Sequence, residues 1–128
     1  MSNITTQIFV ESRYQVNRKK IKETVERTIT DRGITSPMEV SVAIVGDRKM
    51  RALNKKYRNL DKTTNVLSFS QTEGVPVNHP TGNLTLGDIV ISYPVMIKEA
   101  SFENMLLDDK ICYWVQHGLQ HLLGEHHG

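Results

Sequence analysis

The sequence predicts an α/β or α+β domain, with a small mixed sheet of about four strands covered by about four helices. Short β-branched runs are interspersed with longer stretches of helical periodicity. The chain has 128 residues, 38% of them hydrophobic, which is enough for one buried core and too little for two. No internal repeat, linker or low-complexity tract interrupts it. We therefore expect a single domain over residues 1–128.

The first half of the chain predicts two strands and an intervening helix. Residues 5–10 favour a strand, and Asn17 is expected to cap a helix that ends near Gly33. The apolar positions of this helix share one face: Ile21, Val25, Thr28 and Ile29. Residues 38–45 alternate and are β-branched, which predicts the second strand.

A second helix is expected to begin at Asp47 as its cap, with Met50, Leu53 and Tyr57 facing inward. Its outer face is basic and carries Arg48, Lys49, Arg51, Lys55 and Lys56. This pattern predicts an amphipathic helix that presents positive charge to solvent.

The third and fourth strands are predicted over residues 65–69 and 86–92. The stretch between them is too irregular for a helix or a strand, because it contains Gly74, Pro76, Pro80 and Gly82. We interpret it as a long loop.

Two helices complete the predicted fold. Pro94 suits the first turn of a helix that runs to about residue 107. Asp108 is expected to cap the last helix, over about residues 109–123, which Gly124 terminates.

The charge balance is mild, because 16 basic and 14 acidic side chains give a formal net charge of +2. Such a value does not by itself indicate a polyanionic partner. One basic cluster crowds the start of the first helix, at Arg18, Lys19, Lys20 and Lys22. The helix dipole disfavours cations there, so a phosphate partner would relieve the arrangement; a solvated charged face is the alternative.

Cys112 is the sole cysteine, which excludes an intramolecular disulfide and fits a reducing compartment. We expect this side chain to be a small buried hydrophobe and not a catalytic thiol. The N-terminus lacks an apolar signal core, and no apolar run approaches the roughly 18 residues of a membrane span. The expected location is the cytoplasm.

The last predicted helix carries a zincin-like His-x3-His pair. His117 and His121 are four residues apart, so one helix face can direct both imidazoles at one ion. Gly124 can then turn the chain and bring a third histidine to that ion. Three imidazole nitrogens leave a fourth tetrahedral position for water, which is typical of a catalytic zinc site.

The apolar stripe of this helix does not include the histidine pair. Its members recur at helical spacing: Ile111, Val115, Leu119 and Leu122. His117 and His121 lie well over 90° from its centre, so core histidines are disfavoured. A solvated face or a fortuitous run of histidines is the remaining alternative.

The third ligand is either His126 or His127. The metzincin spacing His-x3-His-x2-Gly-x2-His selects His127. Metzincins have a glutamate directly after the first histidine as general base, whereas this chain has Gly118. A peptidase would then lack its proton acceptor unless Glu125 or another carboxylate substitutes. A bound metal could still lower the pKa of its water to about 7.

The histidine run resembles the hallmark of the YbeY family of bacterial endoribonucleases, H-G-x-L-H-L-x-G-x-D-H. Two further segments are similar to family signatures, YRNLDKTTNVLSF at residues 57–69 and LGDIVIS at residues 86–92. The three signatures follow the family's order and cover residues 40–127.

This resemblance implies a metal-dependent ribonuclease directed at single strands, acting in ribosomal RNA maturation at the 3′ end of small-subunit RNA and in ribosome quality control. It implies that His117, His121 and His127 bind one zinc ion, with nickel or another divalent transition metal as alternatives. It places Arg58 near the metal, where its fork of donors could hold a phosphate. A solvated helix-end cation is the other interpretation of Arg58.

The implied partners are ribosomal RNA and the ribosome or small-subunit assembly factors, with no DNA and no membrane. Lys55 and Lys56 lead into the second signature, so we expect them to contact backbone phosphates. Aromatic residues near the motifs are few (Phe69, Tyr93 and Trp114), so base-specific reading is not predicted. Two rival functions are a metzincin-like metallopeptidase and a non-catalytic ribosome-binding module whose metal ties down the last helix.

The chain departs from the family pattern at three positions. Gln120 stands where leucine is usual, and Asn65 and His126 stand where aspartate is usual. Loss of the acid at 126 is expected to weaken the support of the third ligand, or to let His126 compete for the metal. The chain ends at Gly128, whereas family members generally continue into another helix, so we expect the third ligand to be the least secure.

Overall fold

A computed structural model describes residues 3–70 and 84–124. Within these ranges the chain forms four strands and four helices, which confirms the predicted fold class. In chain order they are β1 (Ile4–Val10), α1 (Arg18–Thr30), β2 (Met38–Val45), α2 (Asp47–Arg58), β3 (Val66–Ser70), β4 (Leu84–Ser92), α3 (Tyr93–Glu103) and α4 (Leu107–Leu122). The predicted loop with Gly74, Pro76, Pro80 and Gly82 lies outside the described residues.

The four strands form one mixed sheet in the order β1-β2-β4-β3. Strands β1, β2 and β4 are parallel, and β3 pairs antiparallel with β4. The register pairs Val66 with Ile91 and Ser70 with Gly87. The second and third signature segments therefore lie side by side at one edge of the described sheet.

The helices cover both faces of the sheet. Ile89 and Ile91 of β4 belong to the larger core, which includes the buried faces of α1, α3 and α4. Val90 belongs to a smaller core with Met50 of α2 and Leu67 of β3. Because neighbouring residues of a strand point to opposite faces, α2 lies on one face of the sheet and the other three helices on the opposite face.

The first helix follows its prediction closely. The Asn17 side chain accepts a hydrogen bond from the Lys20 backbone N–H at 3.0 Å, so Asn17 is the N-cap. The predicted apolar face is buried: Ile21, Val25, Thr28 and Ile29. The basic cluster at this helix is partly engaged, because Arg18 donates to the Ile8 carbonyl at 3.0 Å and Lys20 forms an ion pair with Asp109. These contacts tie α1 to β1 and α4.

The second helix departs from its prediction in two respects. Asp47 is the first helical residue and Gly46 is the cap, because the Asp47 carboxylate instead accepts hydrogen bonds from the Thr63 and Ser92 hydroxyls. Tyr57, predicted to face inward, is 55% exposed, whereas Met50 is fully buried. The apolar face of α2 is thus narrower than predicted, and the helix ends on a solvent-facing turn.

The last two helices also differ at their ends. Helix α3 stops at Glu103, before the predicted residue 107, because Asn104 adopts a left-handed conformation with φ 57°. Helix α4 begins at Leu107 with Leu106 as its cap, so the prediction that Asp108 caps it is wrong. The Asp108 carboxylate accepts a hydrogen bond from the Asn17 N–H at 3.0 Å and so joins α4 to the start of α1.

Gly87 allows α4 and β3 to approach the same point of β4. Its φ of 151° is one that residues with a side chain rarely adopt, and a Cβ there would lie 2.3 Å from the Phe69 carbonyl oxygen. The same Cβ would lie 3.1 Å from the Leu122 side chain. The absence of a side chain at 87 therefore brings the C-terminal end of α4 over the β3–β4 edge.

In the described part of the chain, no helix is both long enough and apolar enough to cross a membrane. Cys112 is buried on α4, as predicted, and burial raises the pKa of its thiol. The Thr24 hydroxyl and the Lys20 amine oppose that rise without cancelling it.

Candidate active site

Helix α4 places His117 and His121 one turn apart, and both are exposed. The residues of its predicted stripe are buried at Ile111, Val115 and Leu119 and partly buried at Leu122. The two imidazoles therefore lie off the core-facing stripe, as predicted.

A pocket of about 240 Å³ contains both histidines. Its walls come from the end of α2, the start of β3 with the two residues before it, and the C-terminal half of α4. The lining consists of Arg58, Thr64, Asn65, Val66, Ser68, Trp114, His117, Gly118 and His121. The structure thus brings Arg58 into the same pocket as the histidine pair, although the residues are distant in sequence.

Arg58 reaches this pocket because α2 ends there in a tight turn. Asn59 adopts the left-handed conformation with φ 59°, and its N–H donates to the Lys55 carbonyl at 3.1 Å. The buried Asn54 side chain donates to the Lys62 carbonyl at 2.9 Å, which ties the following segment to the helix. Arg58 is therefore held at a defined helix end and remains exposed.

The opposite wall is the beginning of β3. Val66 and Ser68 both line the pocket, as expected for alternate residues of one strand. The Val66 N–H donates to the Asn65 carboxamide oxygen at 2.8 Å. This contact fixes the orientation of the Asn65 side-chain amide and leaves its Nδ2 group free to donate to another residue.

Trp114 links the histidine pair to a hydrogen-bonded network that the sequence did not reveal. Its indole meets the His117 ring edge-on, with centroids 5.0 Å apart and ring planes at 78°. The indole N–H donates to Glu99 Oε1 at 2.7 Å, and the Asn65 amide donates to Glu99 Oε2 at 3.2 Å. The spacing of Trp114, three residues before His117, could have indicated the ring contact. Nothing local marks Glu99, because its position depends on how α3 packs against α4.

A buried lysine lies behind this network. The Lys110 amine is 2.7 Å from Glu103 and 3.6 Å from Glu99 Oε1, and its side chain is 6% exposed. The hydrogen bond to Glu103 is the main cause of a raised lysine pKa, which burial opposes. The ammonium group therefore remains charged and faces the Glu99 carboxylate.

Gly118 packs directly on the sheet. A Cβ at this position would lie 3.1 Å from Ile89 Cγ2, with the other branches of that side chain at 3.2 and 3.3 Å. A side chain at 118 would thus be directed at the core. The general base of a metzincin-like peptidase, expected directly after the first histidine, has no room at this position.

The described residues supply two of the three expected metal ligands. Within residues 3–70 and 84–124, no group of three His, Cys, Asp or Glu side chains is placed to hold a metal ion. Both candidates for the third ligand, His126 and His127, lie outside the described residues, as does Glu125. Gly124, with φ 85°, provides the expected turn after α4. Two exposed imidazoles one helical turn apart are suited to holding a divalent transition metal, and a third donor would have to come from outside the described residues.

Lys55 and Lys56 are exposed in the last turn of α2. Neither is among the described residues that line the histidine pocket. Lys55 lines a neighbouring depression with Arg48, Arg51 and Lys62, while the Lys56 amine lies 5.1 Å from the Tyr57 ring centroid. Both lysines thus share the last turn of α2 with Arg58, but neither side chain belongs to the described pocket lining.

Comparison with known sequences shows extensive similarity. A family profile described as Endoribonuclease YbeY matches residues 3–128. Relatives named Endoribonuclease YbeY include those of Desulforamulus reducens, 34% identical over 99% of this chain and 82% of that protein, and Francisella philomiragia, 33% identical over 99% and 80%. A Synechococcus relative of the same name is 38% identical over 74% of this chain, and the match spans only 60% of that relative's length.

A solved structure shares the fold. The solution structure of TM1509 from Thermotoga maritima matches 94% of this chain and 73% of its own, with a TM-score of 0.61 and 24% sequence identity. At that identity the likeness concerns the fold alone. The profile match and the two near full-length relatives concern sequence, and together they show that this chain belongs to the YbeY endoribonuclease family.

Proposed function

We propose that the protein is a metal-dependent endoribonuclease that cleaves single-stranded RNA at the pocket between α2, β3 and α4. The observation that carries this proposal is the meeting of Arg58 with His117 and His121 in one pocket. A phosphate-binding arginine beside two exposed imidazoles is an arrangement suited to phosphodiester hydrolysis. The names of the family relatives support RNA as the substrate.

His117 and His121 would hold one zinc ion, together with His127 from the tail. When bound, such an ion supplies Lewis acidity and an activated water at neutral pH. Arg58 would bind the non-bridging oxygens of the scissile phosphate and stabilise the charge that develops on them. Nickel and other divalent transition metals suit the same imidazole donors, so the native metal is a matter for elemental analysis.

The choice of His127 over His126 as third ligand is part of the proposal. It rests on the metzincin-like spacing and on the left-handed turn at Gly124. We expect His127→Ala to lower zinc affinity by at least about tenfold and His126→Ala to change it much less. Competition with a chelating indicator measures both zinc affinities. A larger loss of affinity in His126→Ala than in His127→Ala would identify His126 as the ligand.

The substrate would be bound chiefly through its backbone. The pocket lining contains one aromatic residue, Trp114, among the described residues, and that ring already contacts His117. Lys55 and Lys56 are exposed in the same last helical turn as Arg58 and would contact neighbouring phosphates. Ribosomal RNA as the target fits the family. The proposed setting is 3′-end maturation of small-subunit RNA and ribosome quality control in the cytoplasm.

The direct test is cleavage of a fragment of small-subunit ribosomal RNA that contains single-stranded and paired regions, after reconstitution with zinc. We expect His117→Ala and His121→Ala to abolish cleavage and Arg58→Ala to slow it by about 100- to 1000-fold, the cost of removing one oxyanion donor. Arg27→Ala is the matched control, since Arg27 is an exposed arginine that lines a different pocket. Folded histidine variants that cleave as fast as the parent would refute the mechanism.

The same preparations distinguish the rival functions. A non-catalytic ribosome-binding module would lose thermal stability on chelation, retain RNA binding and show no cleavage by the parent protein. A metallopeptidase would hydrolyse casein in a chelator-sensitive manner, which the packing of Gly118 on Ile89 opposes. We expect no casein hydrolysis.

A further inference from the structure

Glu99 of α3 joins two walls of the pocket through a single carboxylate. Its Oε1 accepts from the indole N–H of Trp114 on α4, and its Oε2 accepts from the amide of Asn65 at the start of β3. Glu99 itself is not among the described residues that line the pocket. Glu99 is therefore connected to the pocket through Trp114 and Asn65, which do line it.

The direction of the hydrogen bond between Asn65 and Glu99 is fixed by a second contact. The carboxamide oxygen of Asn65 already accepts the Val66 N–H at 2.8 Å, so the amide nitrogen must face Glu99. An aspartate at 65 would instead oppose one carboxylate with another. The residues at 65 and 99 thus form a matched donor and acceptor pair.

The other half of the arrangement restrains the first histidine. With its N–H held at 2.7 Å by Glu99, the Trp114 indole is fixed in its T-shaped contact with the His117 ring, at a centroid distance of 5.0 Å. The Lys110 amine, 3.6 Å from the same Glu99 oxygen, offsets the negative charge behind the indole. An imidazole packed against a fixed indole has fewer orientations open to it than one in open solvent.

We infer that Glu99 is a positioning residue of the site: it holds Trp114 against His117 and Asn65 at the opposite wall, and so orients the His117 imidazole for metal binding. The consequence for the metal rests on the proposed function. The restraint on the indole does not, because it is a property of the metal-free protein. An experiment can therefore refute the restraint on the Trp114 indole and the effect on metal binding independently of each other.

Trp114 is the sole tryptophan of the chain, which makes it a specific probe. Near-ultraviolet circular dichroism and emission anisotropy of the metal-free protein report how firmly the indole is held. Titration with nickel, which quenches nearby tryptophan emission, reports metal binding beside His117. Neither measurement depends on ribonuclease activity.

Three variants test the matched pair. In Glu99→Gln the new amide opposes the Asn65 amide, and in Asn65→Asp two carboxylates meet, so each should reduce the indole dichroism and weaken nickel binding by about tenfold. The double variant Asn65→Asp/Glu99→Gln restores one donor and one acceptor with the direction reversed. We expect it to recover nickel affinity to within about threefold of the parent.

Glu103→Gln is the matched control, because it removes the other carboxylate that contacts Lys110, at 2.7 Å, without touching the Asn65–Glu99–Trp114 contacts. It should leave dichroism and nickel affinity near the parent values. The inference is overturned if Glu99→Gln leaves the indole signal unchanged, or if the double variant shows the summed losses of the singles. A parent that keeps its indole signal but binds no nickel or zinc would refute the proposed metal function and leave the restraint on Trp114 standing.

Discussion

Helix α4 has one face buried in the core and another exposed in the histidine pocket, although residues of the two faces are interspersed along the same helix. The core face carries Ile111, Val115 and Leu119, each fully buried against α1 and the sheet. The pocket face carries His117 and His121, both exposed and opposite Arg58. Residues of the core face therefore stabilise the fold, whereas the histidines of the pocket face are available for the proposed chemistry.

Gly118 is where the two faces constrain each other. It is buried with Ile89 of β4 directly beneath it, while its neighbour His117 is exposed in the pocket. The absence of a side chain at 118 sets the distance between α4 and the sheet, and hence the height of His117 above the β3 wall. The close packing of Gly118 on Ile89 therefore also determines where His117 lies in the pocket.

The largest expected effect comes from placing a charged side chain on the core face. Gly118→Glu would create the glutamate that metzincins have after their first histidine, but here the side chain meets Ile89. Burial of an unpaired carboxylate and overpacking of Ile89 should cost at least about 3 kcal/mol in the free energy of unfolding. Urea unfolding of the metal-free protein measures this loss.

Gly118→Ala is the matched control for that change. It adds one carbon 3.1 Å from Ile89 and gains about 1 kcal/mol of helix propensity, so its net cost should stay below about 2 kcal/mol. We expect neither variant to hydrolyse casein. A stable Gly118→Glu protein with chelator-sensitive peptidase activity would mean that a side chain at 118 enters the pocket and is not directed at Ile89.

A second pair of variants compares the faces directly. Leu119→Ala removes a fully buried side chain and should cost about 2–5 kcal/mol of unfolding free energy. His117→Ala removes an exposed one and should cost about 0.5 kcal/mol or less in the metal-free protein, while abolishing cleavage. If both variants lose similar stability, His117 has a structural role that its exposure does not suggest.

Most of the fold was predictable because burial repeats at the helix and strand periods. The four strands and the apolar faces of α1 and α4 were recovered from that pattern. Two of the errors concern carboxylates at helix starts. Asp47 and Asp108 have the residue type of a cap but accept hydrogen bonds from distant partners, including Ser92 and Asn17. Local sequence cannot distinguish a capping carboxylate from one used in a tertiary contact.

The candidate site was predictable only where it is local or matches a family signature. His117 and His121 follow from helix geometry, and Arg58 came from the resemblance, since no local rule distinguishes it from the exposed lysines beside it. Glu99 was missed, because its partners Trp114 and Asn65 reach it through the packing of α3, α4 and β3. Such contacts require the tertiary structure. The role of His127 stays a prediction, as that residue lies outside the described part of the chain.

The smallest expected effect is a pH dependence that arises on the buried side of α4. Burial raises the pKa of the Cys112 thiol, with the Thr24 hydroxyl and Lys20 opposing the rise. In the unfolded chain the thiol ionises at about pH 8.5–9, whereas in the folded protein it stays protonated to higher pH. Its contribution to stability is therefore complete below about pH 8.5 and is lost as pH rises toward the folded pKa.

Cys112→Ala should remove that contribution. Lysines and tyrosines also titrate above pH 9, so the informative quantity is the difference in slope between parent and variant, from urea unfolding at pH 7, 8.5 and 10. We expect the parent to lose more unfolding free energy than Cys112→Ala across this range, and cleavage at pH 7 to be unchanged because Cys112 lies on the face away from the pocket. Equal slopes would show that the thiol ionises as readily in the folded protein as in the unfolded chain, which the packing of α4 on α1 argues against.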